Sequence, residues 1–352
     1  HGEGKTNLKI SVPENGKCYL KLIYYLKKEM PLLEENHILG FDEIEVSQKD
    51  AKCQLAEKWL EKTATDSELQ VNEDDTQIHI KGREFAYTID RRTALFTEMK
   101  FAGREYLNHP MELNIWRAPT DNDMYIKAEW KKAHYDKAYT RAYTTEVVQG
   151  KHGVKIVSHA SVVAETVQKI LDVTITWKID ASGKIDADIE ATKDGEFPDL
   201  PRFGVRMFLD KKLSDARYFG MGPQESYRDK HQAASHGLYR ANVRDLHEDY
   251  IRPQENGSHY DCGYVELNNS RYGIVASAEK AFSFNASYYT QEELEKKTHN
   301  YELAESDSVV LCVDYALNGI GSNSCGPVVL DQYRFNDVLF RFRFTLIPYV
   351  KG

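Results

Sequence analysis

The sequence predicts a mostly-β protein organised around a large antiparallel sandwich. Three observations carry this. From about residue 76 onward apolar residues recur at every second position, turn-forming residues interrupt them at short intervals, and helical spacing is confined to two brief segments. At 352 residues the chain has room for two or three domains, or for one large β domain plus part of another. Its 22 Tyr and 14 Phe suit half-buried pleated surfaces.

Taken in order, residues 1–48 read as a few strands. Leu8-Lys9-Ile10-Ser11-Val12 is strand-like almost from the first residue, His1, so an upstream portion is expected. The turn Pro13-Glu14-Asn15-Gly16 precedes a β-rich run, Cys18 to Leu26, and Phe41 to Val46 alternates cleanly. So few strands cannot close a core, which makes this stretch the tail of a small sandwich. Residues 49–70 are charged and low in β-propensity; they read as a linker in which Leu55 and Trp59, at i and i+4, mark a short helix.

The large domain spans 71–352. Ile78 and Ile80, then Phe85, Tyr87 and Ile89, alternate with polar neighbours. Leu171, Val173, Ile175, Trp177 and Ile179 share one face, the turn Asp180-Ala181-Ser182-Gly183 follows, and Ile185, Ala187, Ile189 and Ala191 return on one face. This is the most secure hairpin in the chain. Phe340, Phe342, Phe344 and Leu346 mark another half-buried strand. The two helices are 126–138, with Ile126, Trp130 and Ala133 at helical spacing, and 291–298, where Thr290 and Glu293 form a capping box.

Composition narrows the functional classes. A net charge of −9 argues against nucleic acid and anionic membranes as partners. No segment approaches the roughly 18 apolar residues of a membrane span. Cys18, Cys53, Cys262, Cys312 and Cys325 are odd in number and scattered, without C-x-x-C or Cys/His ligand spacing, so neither zinc nor a disulfide framework is indicated and a cytoplasmic setting is expected. No G-x-S-x-G, P-loop or G-x-G-x-x-G is present, which removes serine hydrolases and nucleotide binding.

The densest chemistry is Trp116-Arg117-Ala118-Pro119-Thr120-Asp121-Asn122-Asp123, an aromatic ring, a guanidinium and two carboxylates around one proline-restrained turn. By residue type it is first a structural knot, with the guanidinium on the carboxylates and Asn and Asp on their own backbone. Glu225 and Glu255, each in a P-Q-E turn, are the carboxylates to weigh against the pair, roughly 5 Å apart, that retaining glycoside hydrolysis needs. They are read as turn-stabilising groups, and His259 and His299 as structural histidines. The loop Asn318-Gly319-Ile320-Gly321-Ser322-Asn323-Ser324-Cys325-Gly326-Pro327 lets backbone approach a ligand and offers sugar-compatible donors and acceptors.

The octet closely resembles the R-A-P-x-D-N-D signature of the last domain of family 2 β-galactosidases. The likeness extends along the chain through Gly103-Arg104-Glu105-Tyr106-Leu107, Gly220 to Tyr227, Pro253 to Gly257, Phe282 to Tyr289 and Gly319 to Ser324. It implies a galactose-mutarotase-like supersandwich for 71–352, preceded by the end of an immunoglobulin-like domain in 1–48. It also implies retaining cleavage of β-galactosides in a parent whose two catalytic glutamates lie on an upstream barrel, so that no catalytic residue is assigned to this chain. The parent's Mg and Na ions have their ligands upstream as well, leaving no metal ligand here. What remains for this chain is one wall of the galactoside pocket, through Asn323, Ser324 and Cys325 with Arg117, Asp121, Asn122 and Asp123 nearby. Its implied partners are the missing barrel-containing portion and, in the parent, further copies. In the best-known member a tryptophan packs against the sugar where this chain has Cys325, and the family's mobile loop after D-N-D is shortened here. The alternatives are a stand-alone mutarotase-like epimerase, with His and Glu converging on one concave face, and a non-catalytic carbohydrate-binding domain.

Overall fold

The computed structural model describes residues 4–5, 7–12, 16–49, 69–166 and 169–351. The chain divides into two compact units, His1–Gln54 and Leu55–Gly352. The expected linker falls almost wholly outside the described residues, as do Leu55, Trp59 and the turn at 13–15.

In the first unit β1 (Gly16–Tyr25) pairs antiparallel with β2 (Ile38–Lys49) in register from Gly16↔Lys49 to Tyr25↔Ile38. The strand expected at Leu8–Val12 does not form; residues 7–12 carry no regular structure. Ile23, Tyr24, Tyr25, Ile38 and Leu39 remain exposed, because two strands alone have nothing to bury them against.

The described strands of the second unit all pair antiparallel. A five-stranded meander, β3 (Gln70–Glu73), β4 (Gln77–Lys81), β5 (Phe85–Asp90), β6 (Leu95–Phe101) and β7 (Arg104–Glu105), pairs in sequence order. The twelve-stranded sheet follows: β8 (Leu107–Asn114), β9 (Tyr139–Gly150), β10 (Gly153–Val163), β11 (Leu171–Asp180), β12 (Ile185–Lys193), β13 (Arg202–Asp210), β14 (Asp215–Gly222), β15 (Ser235–Asn242), β16 (Ser258–Asn268), β17 (Tyr272–Ser287), β18 (Ser308–Leu317) and β19 (Leu339–Val350). Its pairing order runs β15-β14-β16-β17-β19-β12-β11-β10-β9 and branches at β17 through β18 to β13 and β8.

The branch comes from β17 itself. Tyr272–Ser277 pair with β19, whereas Ser283–Ser287 pair with β18, so one long strand serves two layers. Between those layers Phe203 of β13 meets Phe340 of β19 edge to face at 4.8 Å, and Tyr315 of β18 stacks on Phe340 at 5.2 Å. The meander packs on the same sheet: Phe96 meets Trp177 at 4.9 Å, and Trp177 Nε1 donates to Ala94 O at 2.8 Å.

The alternation read from the sequence holds. Trp177 faces Ala187 and Ile175 faces Ile189 across the β11–β12 hairpin, and Gly183 takes φ +87° in its turn. Phe340, Phe342, Phe344 and Leu346 are buried on β19. The first helix is shorter than expected: α1 spans Ile126–Lys132 and is followed by a separate 3-10 turn at Tyr135–Lys137, because His134 sits at φ +57° and breaks the helix between them. The second, α2 (Gln291–Lys296), starts as expected, with Thr290 Oγ1 accepting from Glu293 N at 3.1 Å.

Candidate functional site: a cavity beside the proline-restrained turn

The turn at 116–123 leaves β8 on a fixed path. Asn114 Oδ1 accepts from Trp116 N at 3.1 Å, and the Trp116 ring meets Trp130 of α1 edge to face at 6.1 Å. Arg117, fully buried, then points inward. Its Nε and Nη2 donate to the two oxygens of Asp123 at 3.2 and 2.7 Å, while Nη1 and Nη2 reach Asn318 O at 2.6 Å and Gly319 O at 3.1 Å. Asp123 Oδ2 also accepts from Thr120 N at 2.8 Å. The guanidinium therefore closes its own turn and ties it to the glycine-rich loop some 200 positions later, using the planar fork of donors that Lys lacks.

The loop is fixed from its other side by Asp229, whose oxygens accept from Ile320 N at 3.0 Å and Gly321 N at 2.7 Å. A side chain at Gly319 would lie 2.7 Å from that carboxylate, so the loop needs glycine there. Asn122 Nδ2 donates to Gly321 O at 2.5 Å, and Ser324 Oγ donates to Asn122 Oδ1 at 2.8 Å.

Turn and loop border a cavity of about 750 Å³ whose wall also includes Glu225, Lys230, Tyr250 and Glu255. The two P-Q-E glutamates, 30 positions apart in sequence, thus meet at one place. Glu225 is fully engaged. It accepts from Lys230 Nζ at 2.5 Å, from the Tyr250 hydroxyl, and from Gly257 N at 2.9 Å. Gly257 can do this because it sits at φ +68°, where an added Cβ would lie 2.3 Å from Leu246 O. Burial lowers the Lys230 ammonium's pKa, but Glu225 and Tyr250 outweigh it and hold the group above its ordinary range.

Glu255 differs. Its amide donates to Ala118 O at 3.0 Å, and Oε2 accepts from Arg202 Nη1 at 3.2 Å. Arg202 spends its other donors on Asp314, at 3.1 and 2.6 Å. Oε1 of Glu255 is buried without a partner. Burial raises the carboxyl's pKa despite Arg202, since one guanidinium serves two buried carboxylates.

Of the residues selected from the sequence, Asp121, Asn122 and Ser324 line the cavity. Arg117 and Asp123 stand behind it, 0% and 2% exposed, and act on its shape. Asn323 and Cys325 lie outside its lining; Cys325 is exposed, with its amide donating to Ser322 O at 3.4 Å. Asp229, Lys230 and Tyr250 escaped sequence reading, since charged and tyrosine side chains in turns carry no signal of their own. His259 is a structural residue, with its ring stacked on Phe284 at 5.0 Å and Nδ1 against Met221 O at 3.3 Å.

Among the described residues no group of three or more His, Cys, Asp or Glu side chains could hold a metal ion. No described helix is long and apolar enough to cross a membrane.

The family model for the β-galactosidase small chain matches residues 81–346. The chain is 43% identical to a β-galactosidase of Actinobacillus pleuropneumoniae over 97% of its own length and 33% of that protein. It is 32% identical to one of Staphylococcus xylosus over 92% of its length and 32% of that protein. It thus spans about a third of the curated relatives it matches. Among solved structures, a galactose 1-epimerase from Lactobacillus acidophilus NCFM covers 81% of this chain and 99% of its own at 10% identity and TM-score 0.43. With three quarters of its length matched by one family model, the chain belongs to the β-galactosidase small-chain family.

Proposed function

We propose that this chain is the small-chain portion of a β-galactosidase that cleaves terminal β-galactosides with retention. In this reading it supplies one wall of the sugar pocket and no catalytic group. The observation that carries the reading is the clamp of Arg117, which binds the family's signature turn to the 318–324 loop and so holds Asn122 and Ser324 at one surface. In this reading Asn323 and the exposed Cys325, on the same loop, meet the remaining two thirds of the protein. That remainder carries the acid/base and nucleophilic glutamates and the ligands for Mg and Na, and the assembled enzyme works as a cytoplasmic homo-oligomer.

Chemistry within the chain agrees with a supporting role. Glu225 has no free oxygen for nucleophilic attack, since ammonium, phenol and amide donors occupy both. The stand-alone epimerase alternative requires an available His–Glu pair. His259 instead faces Tyr218 and Phe284 in the core.

The test is hydrolysis of a chromogenic β-galactoside by the purified chain, with and without the missing portion. No turnover alone and turnover on mixing is the expected result. Turnover by the chain alone would overturn the proposal and make Glu225 and Glu255 the residues to mutate.

A further inference from the structure

A second, smaller cavity, of about 250 Å³, shares only Tyr227 with the one beside the octet. Two departures from regular backbone build it. Residues 227–230 form a tight turn, with Tyr227 N donating to Lys230 O at 2.8 Å and Lys230 N to Tyr227 O at 3.0 Å. Of the two residues at its tip, Asp229 holds the glycine-rich loop, and Arg228 lines the smaller cavity. The other departure is a β-bulge. Between the pairs His259↔Phe284 and Cys262↔Phe282, Tyr260 and Asp261 of β16 oppose the single residue Ser283 of β17. Asp261 takes φ +52° there, and both Tyr260 and Ser283 line the cavity.

The wall is rich in donors that the chain itself does not use. Arg228 spends one N–H, from Nη1, on Arg334 O at 3.0 Å, and its remaining donors have no partner among the described residues. The hydroxyls of Tyr260, Tyr315 and Ser283 have none either, although Ser283 is only 5% exposed. The two phenol rings are fixed, Tyr260 by stacking on His231 at 5.7 Å and Tyr315 on Phe340 at 5.2 Å. Burial raises the pKa of each phenol, helped by Asp261 or Asp337, against the pull of Arg228, so both stay protonated donors. Lys280 adds a second cation at the exposed rim. We infer that this cavity is a phosphate site, in which Arg228 and Lys280 meet the charge and the hydroxyls of Tyr260, Ser283 and Tyr315 donate to the oxygens.

The donor set selects the ligand class. A phosphate group presents several charged acceptor oxygens in different directions, which suits a guanidinium fork and hydroxyls arriving from three strands. A carboxylate offers two oxygens in one plane and leaves part of that set unused. A cation is repelled by Arg228 and Lys280. Asp261 does not oppose an anion at full strength, because His236 Nε2 lies 2.9 Å from its carboxylate. Asp337, exposed at the rim, does oppose it, and so gives the site an internal control. Ala281, Ala316 and Leu317 supply apolar wall for a small organic substituent on the phosphate. The site does not depend on the pocket-wall reading.

The test uses the complete 352-residue chain with inorganic phosphate and phenyl phosphate as probes and benzoate as the carboxylate control, read by calorimetry and thermal shift. At least one phosphate probe should bind, raise the melting temperature with concentration and bind more weakly as NaCl is added. Arg228→Gln should weaken binding about tenfold, and Tyr315→Phe about 3- to 10-fold. Without ligand Tyr315→Phe should melt as the parent chain does, because its hydroxyl has no protein bond to lose. Asp337→Asn should tighten binding about 2- to 5-fold, which a merely structural rim residue would not do. Tighter binding of phenyl phosphate assigns the site to monoesters, and equal binding assigns it to free phosphate; both support it. Benzoate binding as tightly as either phosphate, or no phosphate-dependent shift, would overturn the assignment. So would unchanged affinity in Arg228→Gln and Tyr315→Phe, or an Asp337→Asn chain that binds no tighter. The pocket-wall proposal fails instead in the mixing assay for hydrolysis, so the two failures are distinguishable.

Discussion

Removing the Arg117 guanidinium should unfasten the signature turn from the glycine-rich loop. Both members of the Arg117–Asp123 pair are almost completely buried, with side chains 0% and 3% exposed. Arg117→Ala leaves the Asp123 carboxylate in a dry site, bonded only to the Thr120 amide, and strips donors from the carbonyls of Asn318 and Gly319. Breaking a buried pair from one side costs about 3–5 kcal/mol. Arg117→Lys keeps the charge but cannot span Asp123 and two carbonyls at once, so it should lose about 1.5–3 kcal/mol. The double change Arg117→Met with Asp123→Leu removes both charges and should cost clearly less than the sum of the two single changes. Urea unfolding followed by tryptophan fluorescence measures this directly, because the guanidinium lies 5.3 Å from the centre of the Trp130 ring. A loss below about 1 kcal/mol for Arg117→Ala, or additive single changes, would refute the clamp.

His259 is buried, and burial holds its pKa down at about 4, opposed in part by Met221 O and by the charge of Glu225. The unfolded chain therefore takes up this proton first. Stability is full above the ordinary histidine value of about 6.5 and falls by roughly 3 kcal/mol as pH drops to 4 and below. His259→Phe should flatten that part of a melting-temperature profile, and an unchanged slope would count against it. In the assembled enzyme Cys325→Trp, at an exposed position, should lower KM for an aryl β-galactoside about 2- to 10-fold by adding a stacking surface. Unaltered steady-state kinetics would place residue 325 away from the substrate.

Much of the fold was legible because burial on one face writes a period of two into the sequence. The β11–β12 hairpin was legible in its two apolar faces and in its turn, which carries glycine where φ is positive. β13 shows the limit. It is buried nearly throughout, so no alternation marks it. β17 shows another, because no local pattern announces that its two halves will pair with different strands. At the site the octet stood out through its unusual mixture of side chains. The convergence of Glu225 and Glu255 did not, since each looks like an ordinary turn acid until Arg202 and Lys230 arrive from elsewhere in the chain.

β19 joins β12 on one side and the first half of β17 on the other, although it follows both by many residues. On the ribosome its two neighbours therefore emerge long before the strand that must lie between them. Until Leu339–Val350 has left the exit tunnel, each presents an open ladder of amides and carbonyls to any passing chain. A message cut short, or a nascent product clipped by a protease before residue 339, would yield sticky material in place of a smaller folded one.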